Sequence, residues 1–171
     1  MKKALTYDDI NIVPKYSELE SRSDVDLSTK FTKKIKLSIP VVSTPMDTVT
    51  EYDMAREMMD WGGAGIVHRF MSIEEQAGIM EKLWYIPGTD HIVVKNNLPR
   101  CAAIGVKGDY LERAQELVKN GCNVLLIDVA HGHHKLVGDA IEEIKTKLSG
   151  VEIVAGSVAT GEACEYLCEK G

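Results

Sequence analysis

The sequence has no apolar run that approaches the roughly 20 residues of a membrane-spanning helix, and it has no basic patch. Its 20 lysines and arginines are outnumbered by 26 aspartates and glutamates, which gives a net charge of −6. Such a chain is poorly suited to nucleic acid. The basic first residues are followed by Asp8 and Asp9 instead of an apolar stretch, which argues against a signal peptide. These absences predict a cytoplasmic protein that binds neither membranes nor nucleic acid.

Aromatic residues and cysteines are also scarce. Aromatics make up 6% of the residues, but the hydrophobic fraction of 44% is enough for one globular core. In a reducing compartment the cysteines are expected to be thiols. Cys164 and Cys168 are one helical turn apart, which would suit a metal pair, but we interpret them as packing residues on a core-facing helix. Cys101 and Cys122 precede apolar runs and are interpreted in the same way.

From residue 39 onward, short β-branched runs alternate with amphipathic segments of helical period. This alternation predicts an α/β fold with a parallel sheet. An open doubly wound sheet and part of a barrel both fit five such units. The predicted strand and helix pairs are 39–44 with 51–61, 65–68 with 73–84, 101–106 with 110–120, 124–129 with 135–148, and 152–157 with 161–170.

Residues 39–51 have the pattern of a buried strand that ends in polar residues before a helix. Asp47, Thr48 and Thr50 are candidate N-caps of that helix. In α/β proteins, ligands bind where the carboxyl ends of parallel strands meet. The other predicted strand ends carry polar residues as well, namely His68 and Arg69, then Asp128, His131, His133 and His134, and finally Ser157 and Thr160.

Several motifs resemble the IMP dehydrogenase/GMP reductase family, and they occur in family order along nearly the whole chain. The most informative is STPMDTV at residues 43–49. The others are LTYDDI at 5–10 with Val13 and Pro14, SRSDVD at 21–26, GIVHRFMSIEEQ at 65–76, IDVAHGH at 127–133 and AGSVAT at 155–160. Each motif alone is weak, but together they are specific.

The resemblance implies a (β/α)8 TIM barrel, of which this chain would cover about the first five β/α units, with a sixth strand expected right after Gly171. Residues 1–38 would form an N-terminal arm, wrapped on the barrel or folded as a hairpin that plugs its bottom, with Ile10–Val13 strand-like. Residues 39–171 would form the partial barrel. A short hairpin at 86–100 would replace the CBS modules that dehydrogenases usually insert near this point.

The implied activity is NAD- or NADP-linked redox chemistry at C2 of a purine nucleotide (IMP, XMP or GMP) through a cysteine thioimidate. The family also implies a homotetramer, and a K+ site in the parent enzyme outside this segment. By resemblance, the substrate-binding residues are Thr44, Met46 and Ser157. The cofactor-binding residues are Asp128, Arg69, Val129 and Ala130.

Three of these positions depart from the family pattern, since relatives often have Ser at Thr44, Lys or His at Arg69, and Asn at Ser157. Other roles also fit the residues themselves. Asp128 would serve as a helix cap, Met46 as a core residue, and His68 as either a hydrogen-bonded structural histidine or a ligand-binding one.

The family's nucleophilic cysteine and phosphate loops follow the sixth and later strands, so no catalytic residue is assigned here and the segment alone is expected to be inactive. The residues His131, Gly132 and His133 resemble those of dehydrogenases, whereas the absence of CBS modules is typical of reductases. The two activities are nearly evenly supported, and we slightly favour the dehydrogenase. Two further hypotheses are a non-catalytic half-barrel that binds a nucleotide or a partner chain, and a metal-binding module built on the three histidines.

Overall fold

The computed structural model describes residues 4–84 and 98–171. Within them, five parallel strands form one curled sheet, which is half of a TIM barrel, and their order in the sheet is their order in the chain. A helix follows each strand. The strands are β3 (Val42–Ser43), β4 (Ala64–Val67), β5 (Cys101–Ile104), β6 (Val124–Asp128) and β7 (Glu152–Gly156); the helices are α1 (Tyr52–Asp60), α2 (Ile73–Trp84), α3 (Tyr110–Lys119), α4 (Lys135–Lys147) and α5 (Gly161–Lys170).

The sheet register is continuous from β3 to β7. Val42 pairs with Ala64, Ile66 with Cys101, and the last two strands pair over their full length from Val124–Glu152 to Asp128–Gly156. Strands β4 and β5 are buried at every residue. This is the pattern of a parallel sheet that is covered on both faces.

Strand β3 is shorter and more exposed than the sequence suggests. We expected a buried strand over 39–44, but only Val42 and Ser43 are paired, and Val41 and Val42 are both exposed. Pro40 and Pro45 lack the N–H groups that a longer ladder would need. In addition, β3 is an edge of the described sheet, with β4 as its neighbour.

Two apolar clusters cover the two faces of the sheet. The larger one lies between the strands and the helices and includes Met80, Leu117, Leu125 and Ile144. The smaller one lies on the concave face and consists mainly of small residues from β4, β5 and β6. A short antiparallel hairpin of β1 (Thr29–Lys30) and β2 (Lys36–Leu37) closes this concave cluster by burying Ile35 and Leu37.

The helix boundaries follow their end signals except at α1. The Thr160 hydroxyl accepts from the Ala163 N–H to cap α5, and Gly121 follows α3 with a φ of +94°. The expected N-caps of α1 are wrong. Its N-cap is Glu51, without a side-chain cap bond, because Thr50 uses its hydroxyl on the preceding loop instead.

Residues 4–28 have little contact with the rest of the described chain. They contain two 3-10 turns, at Tyr7–Asp9 and Arg22–Asp24, and no strand, so the strand-like reading of Ile10–Val13 is wrong. Large apolar side chains on this segment are exposed, with Tyr7 93% and Ile12 97% accessible. In the described residues, no helix has the length and apolar character required to cross a membrane.

A groove of about 800 Å³ runs along the open side of β7. Its wall includes Ile153, Leu167, Cys164 and Cys168, and Lys34 and Lys145 also line it. Both cysteines are exposed, so their interpretation as packing residues is wrong for this chain, whereas Cys101 and Cys122 are buried as expected. The predicted hairpin at 86–100 lies mostly outside the described residues.

Candidate functional site

The loop after β3 is held in shape by Thr50. This fully buried threonine donates its hydroxyl to the Thr44 carbonyl at 2.6 Å, and its Oγ1 lies 2.9 Å from Ser43 Oγ. These bonds fold the loop back on the strand end. Thr44 and Met46 remain exposed at the rim, which is the edge of the sheet formed by the carboxyl ends of its strands. Met46 is 50% accessible and is therefore not the core residue that the alternative interpretation proposed.

The turn after β4 is joined to this loop. The His68 N–H donates to the Thr50 carbonyl at 3.3 Å, and the His68 imidazole lies 3.2 Å from the Glu51 carboxylate. His68 is only 2% exposed, which fits the structural role considered from the sequence. The next residue, Arg69, lies over the Phe70 ring at 5.2 Å, and its buried Nε has no hydrogen-bond partner among the described residues.

A buried polar network lies beneath this turn, and the polar strand ends did not predict it because its residues lie on helices. The fully buried Gln76 donates its amide to the carbonyls of His68 at 3.0 Å and Ala103 at 2.9 Å. Its Oε1 accepts from Arg113 at 2.9 Å, and Arg113 also pairs with Asp109 at 2.8 Å. The network could have been predicted from one polar residue on the otherwise apolar face of each helix, Gln76 in α2 and Arg113 in α3.

The ends of β6 and β7 are locked together by backbone hydrogen bonds. Val129 donates to Gly156 at 3.0 Å, and Ser157 donates to Val129 at 2.7 Å across a turn with a cis Gly156–Ser157 peptide. The Ser157 carbonyl accepts from Gly132 at 2.8 Å. The backbone N–H groups of Val129 and Ser157 are therefore already used within the protein. Asp128 is half-buried and does not cap the following helix, whose N-cap is His134.

The three histidines after β6 do not share one neighbour, although the rings of His131 and His134 lie 6.5 Å apart. His134 caps α4 by accepting the Leu136 N–H at 3.1 Å, and His133 lies 5.4 Å from the Tyr166 ring. In residues 4–84 and 98–171, no group of three His, Cys, Asp or Glu side chains is arranged to hold a metal ion. The structure gives the metal-module hypothesis no geometric support.

The two buried cysteines are poor nucleophiles. Burial raises the pKa of Cys122 to about 12, and it also raises the pKa of Cys101 well above the ordinary thiol range. A thiol acts as a nucleophile in its thiolate form, which both sites disfavour. Cys101 begins β5 and Cys122 precedes β6, so both lie at the amino ends of the strands, away from the rim.

The residues assigned from the sequence lie at the carboxyl ends of the strands in three groups. Thr44 and Met46 follow the edge strand β3, and Arg69 follows β4 and reaches the end of β5, where a Cβ on Gly105 would lie 3.8 Å from its guanidinium carbon. Asp128, Val129, Ala130 and Ser157 meet where β6 and β7 pair. Thr44 and Ser157 are thus on opposite edges of the described sheet.

Comparison of the sequence with known proteins assigns the chain to a family. A family model described as IMP dehydrogenase / GMP reductase domain matches residues 4–171. The chain is 33% identical over 210 residues to inosine-5'-monophosphate dehydrogenase of Borreliella burgdorferi, covering 99% of this chain and 52% of the relative. It is 37% identical over 202 residues to the Cryptosporidium parvum protein of that name, covering 99% and 50%. The chain therefore spans about half the length of these curated relatives.

Proposed function

The chain belongs to the IMP dehydrogenase/GMP reductase family, and from this premise we propose that it supplies nucleotide and cofactor recognition to a purine nucleotide oxidoreductase. The parent reaction would be NAD-linked redox chemistry at C2 of the purine, with a cysteine as the covalent nucleophile. The observation that carries the proposal is that the assigned residues all lie at the carboxyl ends of strands of one parallel sheet, namely β3, β4, β6 and β7.

For the purine nucleotide, we assign Thr44, Met46 and Ser157. Thr44 and Ser157 are exposed at the rim and retain hydroxyls that can bond ligand oxygens or nitrogens, while Met46 offers an adaptable apolar surface. The substrate class is IMP, XMP or GMP. The Thr50 hydrogen bonds support this assignment because they fix the Thr44 backbone before any ligand arrives.

For the nicotinamide cofactor, we assign Asp128, Val129, Ala130 and Arg69. The buried Nε of Arg69 without a partner fits a ligand with acceptor groups, and Asp128 offers a carboxylate to ribose hydroxyls. When bound, the cofactor would exchange a hydride with the purine. NADP remains an alternative to NAD, and a K+ site would involve residues outside this segment.

We further propose that the chain alone does not turn over substrate. Cys101 and Cys122 are buried at the opposite end of the strands, and Cys164 and Cys168 lie on α5, outside the strand-end loops. Covalent catalysis needs an activated nucleophile beside the reacting carbon. The test is an absorbance assay of the purified chain with IMP plus NAD and with GMP plus NADPH. Measurable turnover in either direction would overturn this part of the proposal.

Binding is tested by amide NMR titration of the 171-residue chain with IMP and then with NAD. We expect IMP to shift the amide resonances of the loop at 44–50, and NAD to shift those at 69 and 128–130. Thr44→Val should weaken IMP binding by about three- to tenfold, the value of one neutral hydrogen bond. Thr48→Val, on the same loop, is the matched control and should leave binding unchanged. Shifts confined to other surfaces would contradict the assignment.

GMP reductase activity is the second candidate for the parent enzyme. The relatives above carry the dehydrogenase name, and the His131–His133 spelling agrees with it, so we favour the dehydrogenase direction. Completing the chain with the remaining barrel units and comparing the two reaction directions separates the candidates. A non-catalytic half-barrel that binds a nucleotide or a partner chain would bind IMP but remain inactive after completion.

We also propose that the protein works as a homo-oligomer, a tetramer by family resemblance. The apolar side chains exposed on residues 4–28 support association, because exposed apolar groups of this size favour burial against a partner. Light scattering across a concentration series tests this proposal, and a monomer at every concentration would contradict it.

A further inference from the structure

The hydrogen bonds of His68 fix which of its ring nitrogens carries the proton. Nδ1 accepts the backbone N–H of Phe70 at 3.1 Å, so Nδ1 cannot itself be protonated. The proton of the neutral ring must then be on Nε2, which faces the Glu51 carboxylate at 3.2 Å and donates to it. An imidazolium would present two N–H groups and would lose the bond from Phe70.

The turn at residues 68–70 is also fixed by hydrogen bonds from helices α2 and α3. The Gln76 amide donates to the carbonyls of His68 at 3.0 Å and Val67 at 3.3 Å, and Arg113 orients that amide by donating to its oxygen at 2.9 Å. The His68 N–H donates to Thr50. The backbone of residue 68 is thereby fixed at both its N–H and its carbonyl, and its ring fixes the N–H of residue 70.

Arg69 lies between these two fixed positions. Its guanidinium lies over the Phe70 ring at 5.2 Å and beside Gly105, where the absence of a side chain leaves room for it. Its Nε is buried, and no acceptor in residues 4–84 or 98–171 pairs with it. A buried donor without an acceptor is costly, so a ligand acceptor that packs against this guanidinium would gain a hydrogen bond without displacing a protein partner.

We propose that His68 is a positioning residue whose neutral Nε2–H imidazole, bridging Glu51 and the Phe70 N–H, holds Arg69 in place for an anionic group of the cofactor. This inference rests on the proposed function in taking Arg69 as a cofactor contact. The sequence alone allowed either a structural or a ligand-binding role for His68. In this inference the buried ring contacts no ligand and acts through the backbone of its own turn.

The tautomer is tested directly by long-range ¹H–¹⁵N NMR of the full chain labelled at histidine. We expect the neutral His68 ring to show Nδ1 as an unprotonated nitrogen and Nε2 as a protonated one. A protonated Nδ1 would overturn the proposal. This measurement needs no ligand, so it is independent of the proposed function.

Two substitutions separate the positioning role from a general loss of structure. In His68→Asn, the amide oxygen can take the place of Nδ1 and accept the Phe70 N–H, whereas His68→Phe keeps the ring but removes both nitrogens. We expect the Phe70 amide and Arg69 Nε–H signals to shift in His68→Phe and to be largely restored in His68→Asn. Glu51, which is 62% exposed, provides a milder variant, Glu51→Ala, that should broaden the His68 Nε2–H signal without unfolding the chain.

Cofactor affinity completes the test. His68→Phe should weaken NAD binding by about tenfold, and His68→Asn by no more than about threefold. Equal affinity in wild type and His68→Phe, or an unchanged Arg69 signal in His68→Phe, would overturn the inference. If the wild-type chain bound no NAD, the proposed function would fail, while the tautomer and the Phe70 amide would still decide whether His68 holds the turn.

Discussion

At the scale of single residues, the polar groups buried behind the rim hold it together. Gln76 and Arg113 connect helices α2 and α3 to the carbonyls that end β4 and β5. Burying these groups is tolerated because each finds partners of matching chemistry. The rim thus owes its shape to side chains that no ligand would touch.

Replacing Gln76 tests this network. Gln76→Leu removes the donor to His68 and Ala103 and takes one buried acceptor from Arg113, so we expect a loss of about 3 kcal/mol in unfolding free energy. The measurement is denaturant unfolding of Gln76→Leu, Arg113→Leu and the double variant. Because the two side chains form one network, the double variant should lose less than the sum of the single losses. Strict additivity would show that they act independently.

Tyr110 provides a pH-dependent contact between α3 and α4. Its hydroxyl donates to Glu143, and this bond is the main cause that raises the pKa of Tyr110 to about 12. A raised pKa in the folded state means that the contribution is complete below the ordinary tyrosine pKa of 10 and is lost as the pH rises towards 12. The hydrogen bond from Lys147 and, second to it, the bond from Tyr110 lower the pKa of Glu143, so the contribution is also lost in acid as that carboxylate is protonated.

The corresponding experiment compares wild type with Tyr110→Phe by unfolding at a series of pH values. We expect the wild type to be more stable at neutral pH and the difference to shrink between pH 10 and about 12. Ionic strength is kept constant so that only the titration varies. A difference that stayed constant over this range would exclude the Tyr110–Glu143 bond as its source.

At the scale of elements, helix α1 lies against β4 through a glycine. A Cβ on Gly65 would come within 2.5 Å of the Ala55 Cα and 3.2 Å of Ser43 Oγ. Such a distance to backbone requires α1 to move away from the strand. The distance between the sheet and the helix that follows the loop at 44–50 therefore depends on the absence of a side chain at Gly65.

Two glycine substitutions form a matched pair for this feature. Gly65→Ala should cost about 1–3 kcal/mol of stability and should shift amide signals in the loop at 44–50, because α1 must move. Gly78→Ala, in the interior of α2 with no atom within 4 Å of the new Cβ, should instead stabilise by up to about 1 kcal/mol. Thermal unfolding of both variants is the measurement. Similar effects in both would argue that Gly65 is not a packing constraint.

The elements differ in how far the sequence predicts them. Helices α2 and α5 begin at the predicted residues, because Ser72 with Glu75 and Thr160 provide local N-terminal capping signals that need no tertiary context. Strand β3 does not, since its length depends on which neighbours are present to pair with it. The rim residues follow from strand ends and family motifs, whereas the partners of Gln76 come from strands and helices distant in sequence.

At the scale of the whole molecule, the described sheet has two different edges. Edge β3 is short, while β7 is paired over five residues on one side and faces the groove on the other. All residues of β7 are partly exposed, which contrasts with the complete burial of β4 and β5. An apolar strand edge of this kind favours pairing with a further strand.

The reactivity of Cys164 and Cys168 measures whether the open edge at β7 is covered. In the isolated chain, Cys164 and Cys168 should react rapidly with a thiol reagent, and Cys101 and Cys122 should react only on unfolding, because the first pair is exposed and the second is buried. Adding a polypeptide with the remaining barrel units should protect the first pair, which lines the groove. Mass spectrometry counts the modified sites. Unchanged reactivity after addition would show that the added units do not close on β7.

The match between sheet order and chain order has a consequence for biosynthesis. Each strand from β4 onward pairs with the strand that precedes it in the chain. No strand has to wait for a distant later segment before it can pair, so the sheet can grow in step with translation. At every stage the newest strand forms the open edge, ready for the next one to be added.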